Sequence, residues 1–108
     1  ENVQFEYDSA KIRNSEYARI ETVATYLKGN PRSTCILEGH CDERGTSEYN
    51  MTLGERRAEA ARAHLLGLGI DGARLFPKSM GEEKPLDPGH AESAWRVNRR
   101  VEFGLYTR

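Results

Sequence analysis

The run Thr34-Cys35-Ile36-Leu37-Glu38-Gly39, β-rich and apolar around Ile36 and Leu37, leads through a short charged turn into a helical pattern from about Asn50 to Leu66. A strand feeding such a helix cannot bury its apolar side chains by itself, so the pair demands a layered sheet-and-helix architecture. The rest of the chain supplies the layers. Val3, Phe5 and Tyr7 alternate with Asn2, Gln4 and Glu6, which predicts a first strand. Ile20, Val23, Ala24 and Leu27 keep the i, i+3, i+4, i+7 spacing of one helical face, which predicts a helix over about 15–28. Asn14 or Ser15 is its expected N-cap, and Gly29-Asn30-Pro31 its stop.

Arg74-Leu75-Phe76 reads as a short third strand, which Pro77 confines to a sheet edge or a strand end. Residues 81–89 read as a polar loop, and Val101, Phe103 and Leu105 alternate with Arg100, Glu102 and Gly104 as a closing strand. The order β-α-β-α-β-β describes an α/β (α+β) sandwich, with two main helices packed on a mixed four-stranded sheet.

With 108 residues the chain is expected to form a single domain spanning 1–108, able to bury a sizeable core. Sixteen Lys and Arg against seventeen Asp and Glu give a net charge of -1. That balance removes the broad attraction on which sequence-independent nucleic-acid binding depends, so no nucleic-acid partner is expected. No apolar run approaches the roughly 18 residues of a membrane span, and no secretory hydrophobic region is present. A start at Glu1 without Met reads as a domain cut from a longer protein. Cys35 and Cys41, six positions apart in an extended segment, would lie roughly 20 Å apart, against a limit near 7 Å for a disulfide. They are not expected to bond to each other.

The turn after the central strand carries the candidate chemistry. Asp42 falls just past the strand end, where ligands gather in open α/β sheets. The stripe of the second helix reads Leu53, Arg57, Ala60 or Ala61, His64 and Leu68, which puts a guanidinium where periodicity asks for an apolar group. Held apart but facing one pocket, Asp42 and Arg57 could receive an ammonium and a carboxylate, the two charges of a free amino-acid group. They could equally bridge each other and hold helix to sheet. Both arrangements fit the spacing.

Other candidates are weaker. His40, Cys41 and Asp42 beside Cys35 do not suggest a metal site, because consecutive strand residues point to opposite faces and no C-x-x-C or H-x-x-x-H spacing exists. No metal and no cofactor are expected. The same geometry argues against a Cys41-His40 nucleophilic dyad, and the adjacent carboxylates Asp42-Glu43 and Glu82-Glu83 diverge too much for glycosidase chemistry. Trp95, the one tryptophan, reads as a core or lid anchor, and His64 as a boundary histidine.

The run Gly39-His40-x-Asp42-Glu43-Arg44-Gly45-Thr46-x-Glu48-Tyr49-Asn50-x-x-Leu53-Gly54-Glu55-Arg56-Arg57-Ala58 closely resembles the signature of the OmpA-like peptidoglycan-binding domain, in the branch found in peptidoglycan-associated lipoproteins. Phe5-Glu6-Tyr7-Asp8-Ser9, Ser79-Met80-Gly81-Glu82-Glu83-Lys84-Pro85 and Asn98-Arg99-Arg100-Val101-Glu102-Phe103 resemble further family segments in the same order. The resemblance implies the sandwich described above and a non-catalytic grip on the meso-diaminopimelate of the peptidoglycan stem peptide.

By resemblance Asp42 takes the diaminopimelate ammonium and Arg57 its carboxylate. Asp8 and Ser9 line the same pocket largely through backbone, Asn50 and Leu53 shape the helix start, and Arg100 contributes. Cys41 stands where relatives carry a small or hydroxyl residue. The resemblance further implies attachment of the outer membrane to the wall from its periplasmic face, through an N-terminal lipid anchor outside this chain. It also implies a periplasmic propeller protein of the Tol system as partner. Other hosts of such a domain are outer-membrane barrels and flagellar stators, and a peptidoglycan hydrolase is the enzymatic alternative.

Overall fold

The computed structural model describes residues 2–107. Strands β1 (Val3–Gln4), β2 (Ser33–His40), β3 (Leu75–Gly81) and β4 (Arg100–Thr107) form one mixed sheet in the order β1-β4-β2-β3. β2 and β3 run parallel, and β4 is antiparallel to β2 and to β1. Helices α1 (Tyr17–Gly29) and α2 (Ser47–Gly67) pack on one face, and a short α3 (Glu92–Asn98) precedes β4. The two main helices on a mixed four-stranded sheet are as expected from periodicity. No helix among the described residues is long and apolar enough to cross a membrane.

The core follows the two periodicities. Ile20, Val23, Ala24 and Leu27 of α1 meet Cys35 and Leu37 of β2, Leu75 of β3 and Val101 of β4, all buried. Pro77 sits in β3 at the sheet edge, where its missing N–H leaves no ladder bond unmade. That strand is longer than the three residues read from sequence, because the parallel register with β2 carries pairing on to Gly81.

Three further boundaries differ from expectation, and one helix is added. β1 ends at Gln4, since beyond Phe5, whose carbonyl is taken by the Arg99 side chain at 2.8 Å, the chain turns at Tyr7 and Asp8. Asp8 has a φ of 54°, the left-handed conformation that Asp tolerates better than most residues. α1 is entered through a 3-10 turn at Asn14–Glu16 without a side-chain cap, and Glu16 instead receives the Gln4 amide at 2.8 Å, tying helix to strand. α2 starts three residues early because Thr46 caps it, accepting the Tyr49 amide at 3.1 Å. α3 falls between the expected polar loop and closing strand: seven residues with no side-chain cap give too short a pattern to read.

Candidate functional site

Two glycines set the geometry of the strand end. A Cβ built on Gly39 of β2 would lie 1.7 Å from the Gly54 carbonyl oxygen of α2, so the two backbones touch where helix crosses strand. Close approach needs hydrogen on both sides. Arg57 lies one turn beyond Gly54 on the same buried face, with Asn50, Leu53, Ala58, Ala61 and Leu65. The crossing thus carries Arg57 onto the end of β2. His64 is at the margin of that stripe, stacked on Tyr17 with ring centroids 4.5 Å apart.

Arg57 is 1% exposed. Its Nε donates to the Ser9 carbonyl at 2.8 Å, one terminal nitrogen to that of His40 at 2.9 Å, and the other to that of Glu6 at 3.1 Å. A guanidinium has five N–H groups, so one remains on each terminal nitrogen. Burial pulls its pKa down, yet it stays cationic.

Asp42, 4% exposed, does not pair with Arg57. It accepts from the backbone N–H of Arg44 at 3.0 Å and from that side chain at 3.2 and 2.8 Å, with a longer contact from Arg99 at 3.4 Å. Burial pushes the Asp42 pKa up, but the Arg44 bonds outweigh it and hold the carboxyl below the usual carboxylate range. The bridge between Asp42 and Arg57 that the spacing allowed is not formed. Arg44 is in turn stacked between Tyr7, at 3.8 Å from its Cζ to the ring, and Trp95, at 4.2 Å. The Trp95 indole donates to Glu43 at 2.8 Å, which His90 also contacts.

A cavity of about 30 Å³ lies between these groups, with Asp8, Asp42, Asn50, Leu53 and Arg57 in its lining. It has room for little more than a water. Tyr49 and Leu53 line both this cavity and an adjoining open groove of about 360 Å³ along α2. The Tyr49 hydroxyl donates to the Asp8 carboxylate across the boundary, and this bond raises the phenol pKa. Asn50 joins helix to strand end: its amide donates to Glu82 at 2.9 Å and its carbonyl accepts the Cys41 thiol at 3.1 Å. Ser9 enters through its backbone carbonyl.

Arg100 lies elsewhere. It opens β4 as the Cα partner of His40, with its guanidinium on Glu102 at 2.6 Å and the Lys84 carbonyl at 2.9 Å. Strand neighbours point to opposite faces, so it is Arg99, one residue earlier, that reaches Asp42. Arg44, Tyr49 and Tyr7 were not singled out from sequence. Arg44 had a readable signal, since an aspartate two residues ahead commonly accepts the backbone N–H in an Asx turn.

The model of the OmpA family matches residues 4–99. The peptidoglycan-associated lipoprotein of Pseudomonas aeruginosa is 47% identical over 99 residues, covering 92% of this chain and 58% of that protein. That of Haemophilus influenzae is 43% identical, covering 92% and 65%. The chain therefore spans about three-fifths of these relatives. Among solved structures, the peptidoglycan-associated lipoprotein from Burkholderia pseudomallei superposes with a TM-score of 0.94 at 41% identity, covering 97% of this chain and 89% of that one. The C-terminal domain of Helicobacter pylori MotB shares the fold, with a TM-score of 0.91 at 24% identity and coverage of 100% and 85%.

Proposed function

The chain belongs to the OmpA family, and on that premise we propose that it binds peptidoglycan non-covalently through the meso-diaminopimelate of the stem peptide. The observation that carries this reading is the pair of N–H groups left over on Arg57 after three carbonyls are served, beside a carboxylate that does not use them. A bidentate carboxylate needs such a pair. Diaminopimelate ends in a second amino-acid centre with both charges free. Its carboxylate meets Arg57, and its ammonium meets Asp42, replacing the long Arg99 contact. Asp8 and the Ser9 backbone border the same centre, with Asn50 and Leu53 holding the wall. Arg100, on the other face, has no part in it.

The cavity is smaller than that centre, so entry requires Tyr49 to leave Asp8 and open the boundary toward the α2 groove. Each charged hydrogen bond contributes about 1.5–3 kcal/mol net, a modest grip that many copies on one polymer strengthen by avidity. In the full-length protein this grip, with an N-terminal lipid anchor in the outer membrane, ties that membrane to the wall from its periplasmic face, with a Tol-system propeller protein as partner. The relatives named as lipoproteins support that setting. No bond is made or broken.

Pull-down with sacculi tests the reading. The domain should sediment with diaminopimelate-type sacculi and not with lysine-type ones, whose stem lacks the second carboxylate. Asp42→Asn should abolish sedimentation. Equal binding to both wall types would overturn the assignment, and release of soluble muropeptides would replace it with a hydrolase.

A further inference from the structure

Gly39 faces α2, so its neighbours Glu38 and His40 point to the other face of the sheet, away from the cleft. In the β2–β4 register Glu38 stands opposite Glu102, and His40 opposite Arg100. One oxygen from each glutamate and one ring nitrogen of His40 all lie within 4.8 Å of one another. Like charges directly opposite on an antiparallel pair repel. Arg100 holds Glu102 at 2.6 Å and directs its other bonds to the Asn98 and Lys84 carbonyls, while Lys78, the β3 partner of Glu38 in register, makes no ion pair with it among the described residues. Glu38 has no ion pair among the described residues except with His40.

His40 provides the second observation. Its imidazole is 1% exposed, its Nδ1 has no hydrogen-bond partner among the described residues, and its Nε2 meets Glu38 at 3.3 Å. A neutral imidazole has one proton for two nitrogens. With the proton on Nδ1, the Nε2 lone pair confronts carboxylate lone pairs, an arrangement that calls for a cation or a proton donor between them. With the proton on Nε2, the gain is one long bond and an idle buried Nδ1.

We infer that Glu38, His40 and Glu102 form a binding site for a divalent transition-metal ion of the zinc class. One imidazole with two carboxylates is a borderline donor set that suits zinc and its neighbours, whereas magnesium and calcium take oxygen alone. Donors about 2.0–2.2 Å from a four-coordinate zinc ion lie about 3.4 Å apart, so the half-buried glutamates rotate in toward the fixed imidazole to close the set. A hollow of about 180 Å³ beside them, bordered by Ile36, Gly104 and Tyr106, gives the ion a path from solvent. Three protein donors leave a position open for water.

Zinc titration of the purified domain by calorimetry tests the site, with cobalt absorption as a second readout. One saturable site is expected, with visible d–d bands and no thiolate charge-transfer band. Glu38→Gln and Glu102→Gln should each weaken it about tenfold or more, while Cys41→Ala leaves the affinity unchanged. Neither glutamine variant alters the buried imidazole, so both should fold and keep sedimentation with sacculi. Absence of saturable binding, an affinity in either glutamine variant equal to that of the unmodified domain, or a thiolate band would each overturn the inference.

Discussion

Asp42 and Arg57 line one cavity yet do not pair: Arg57 serves the carbonyls of Glu6, Ser9 and His40, while Asp42 is held by Arg44 and Arg99. The two charges are thus held by separate parts of the chain and face the same small space. Removing either partner would not release the other from its own bonds.

Arg57→Ala is therefore expected to lose stability as well as wall binding, because it strands three carbonyls at a buried position. The cost should be about 3 kcal/mol. Arg57→Lys retains the charge but cannot serve three carbonyls and a carboxylate at once, so binding should fall with a smaller loss of stability. Chemical denaturation alongside sedimentation with sacculi separates the two effects.

The depressed pKa of Asp42 sets an acid limit. Its folded pKa lies below the unfolded value of about 3.9, so its stabilisation is present above that value and is lost as pH falls through the folded pKa. Melting temperatures measured from pH 6 down to pH 2 should drop less steeply for Asp42→Asn than for the unmodified protein.

At the crossing of α2 over β2 there is no room for a methyl group. Gly39→Ala would press its Cβ into the Gly54 carbonyl, and Gly54→Ala would meet the Ser79 hydroxyl at 2.4 Å and the Gly39 carbonyl oxygen at 2.8 Å. Each substitution should cost about 1–3 kcal/mol in urea unfolding. Both should also weaken wall binding, since Arg57 moves with the helix.

The two thiols are predicted to be inert in the native state. Burial pushes Cys35 up to about 12 and Cys41 up to about 11, so neither is a thiolate at neutral or mildly alkaline pH. Both are free. A thiol-reactive chromophore should label neither cysteine in the folded domain at pH 8 and both after denaturation.

The two main helices and the edge position of β3 were legible because each is written in side-chain periodicity or in a proline. Asp42 and Arg57 stood out for a related reason, one at a strand end and the other breaking an apolar stripe. The acceptors of Arg57 were not legible. They are backbone carbonyls at positions 6, 9 and 40, and a carbonyl leaves no trace in residue identity. Gly54 was misleading in isolation, since a glycine inside a helix reads as a local cost until its contact with Gly39 is known. Arg99 and Arg100 could be told apart only once the start of β4 was fixed.

Trp95 is the sole tryptophan of the chain, and its indole rests on the guanidinium that holds Asp42. Any event that moves the Asp42 carboxylate reaches the chromophore through one intervening side chain. The domain thus contains an intrinsic optical reporter, and its emission under selective tryptophan excitation can follow occupancy of the cleft without a label.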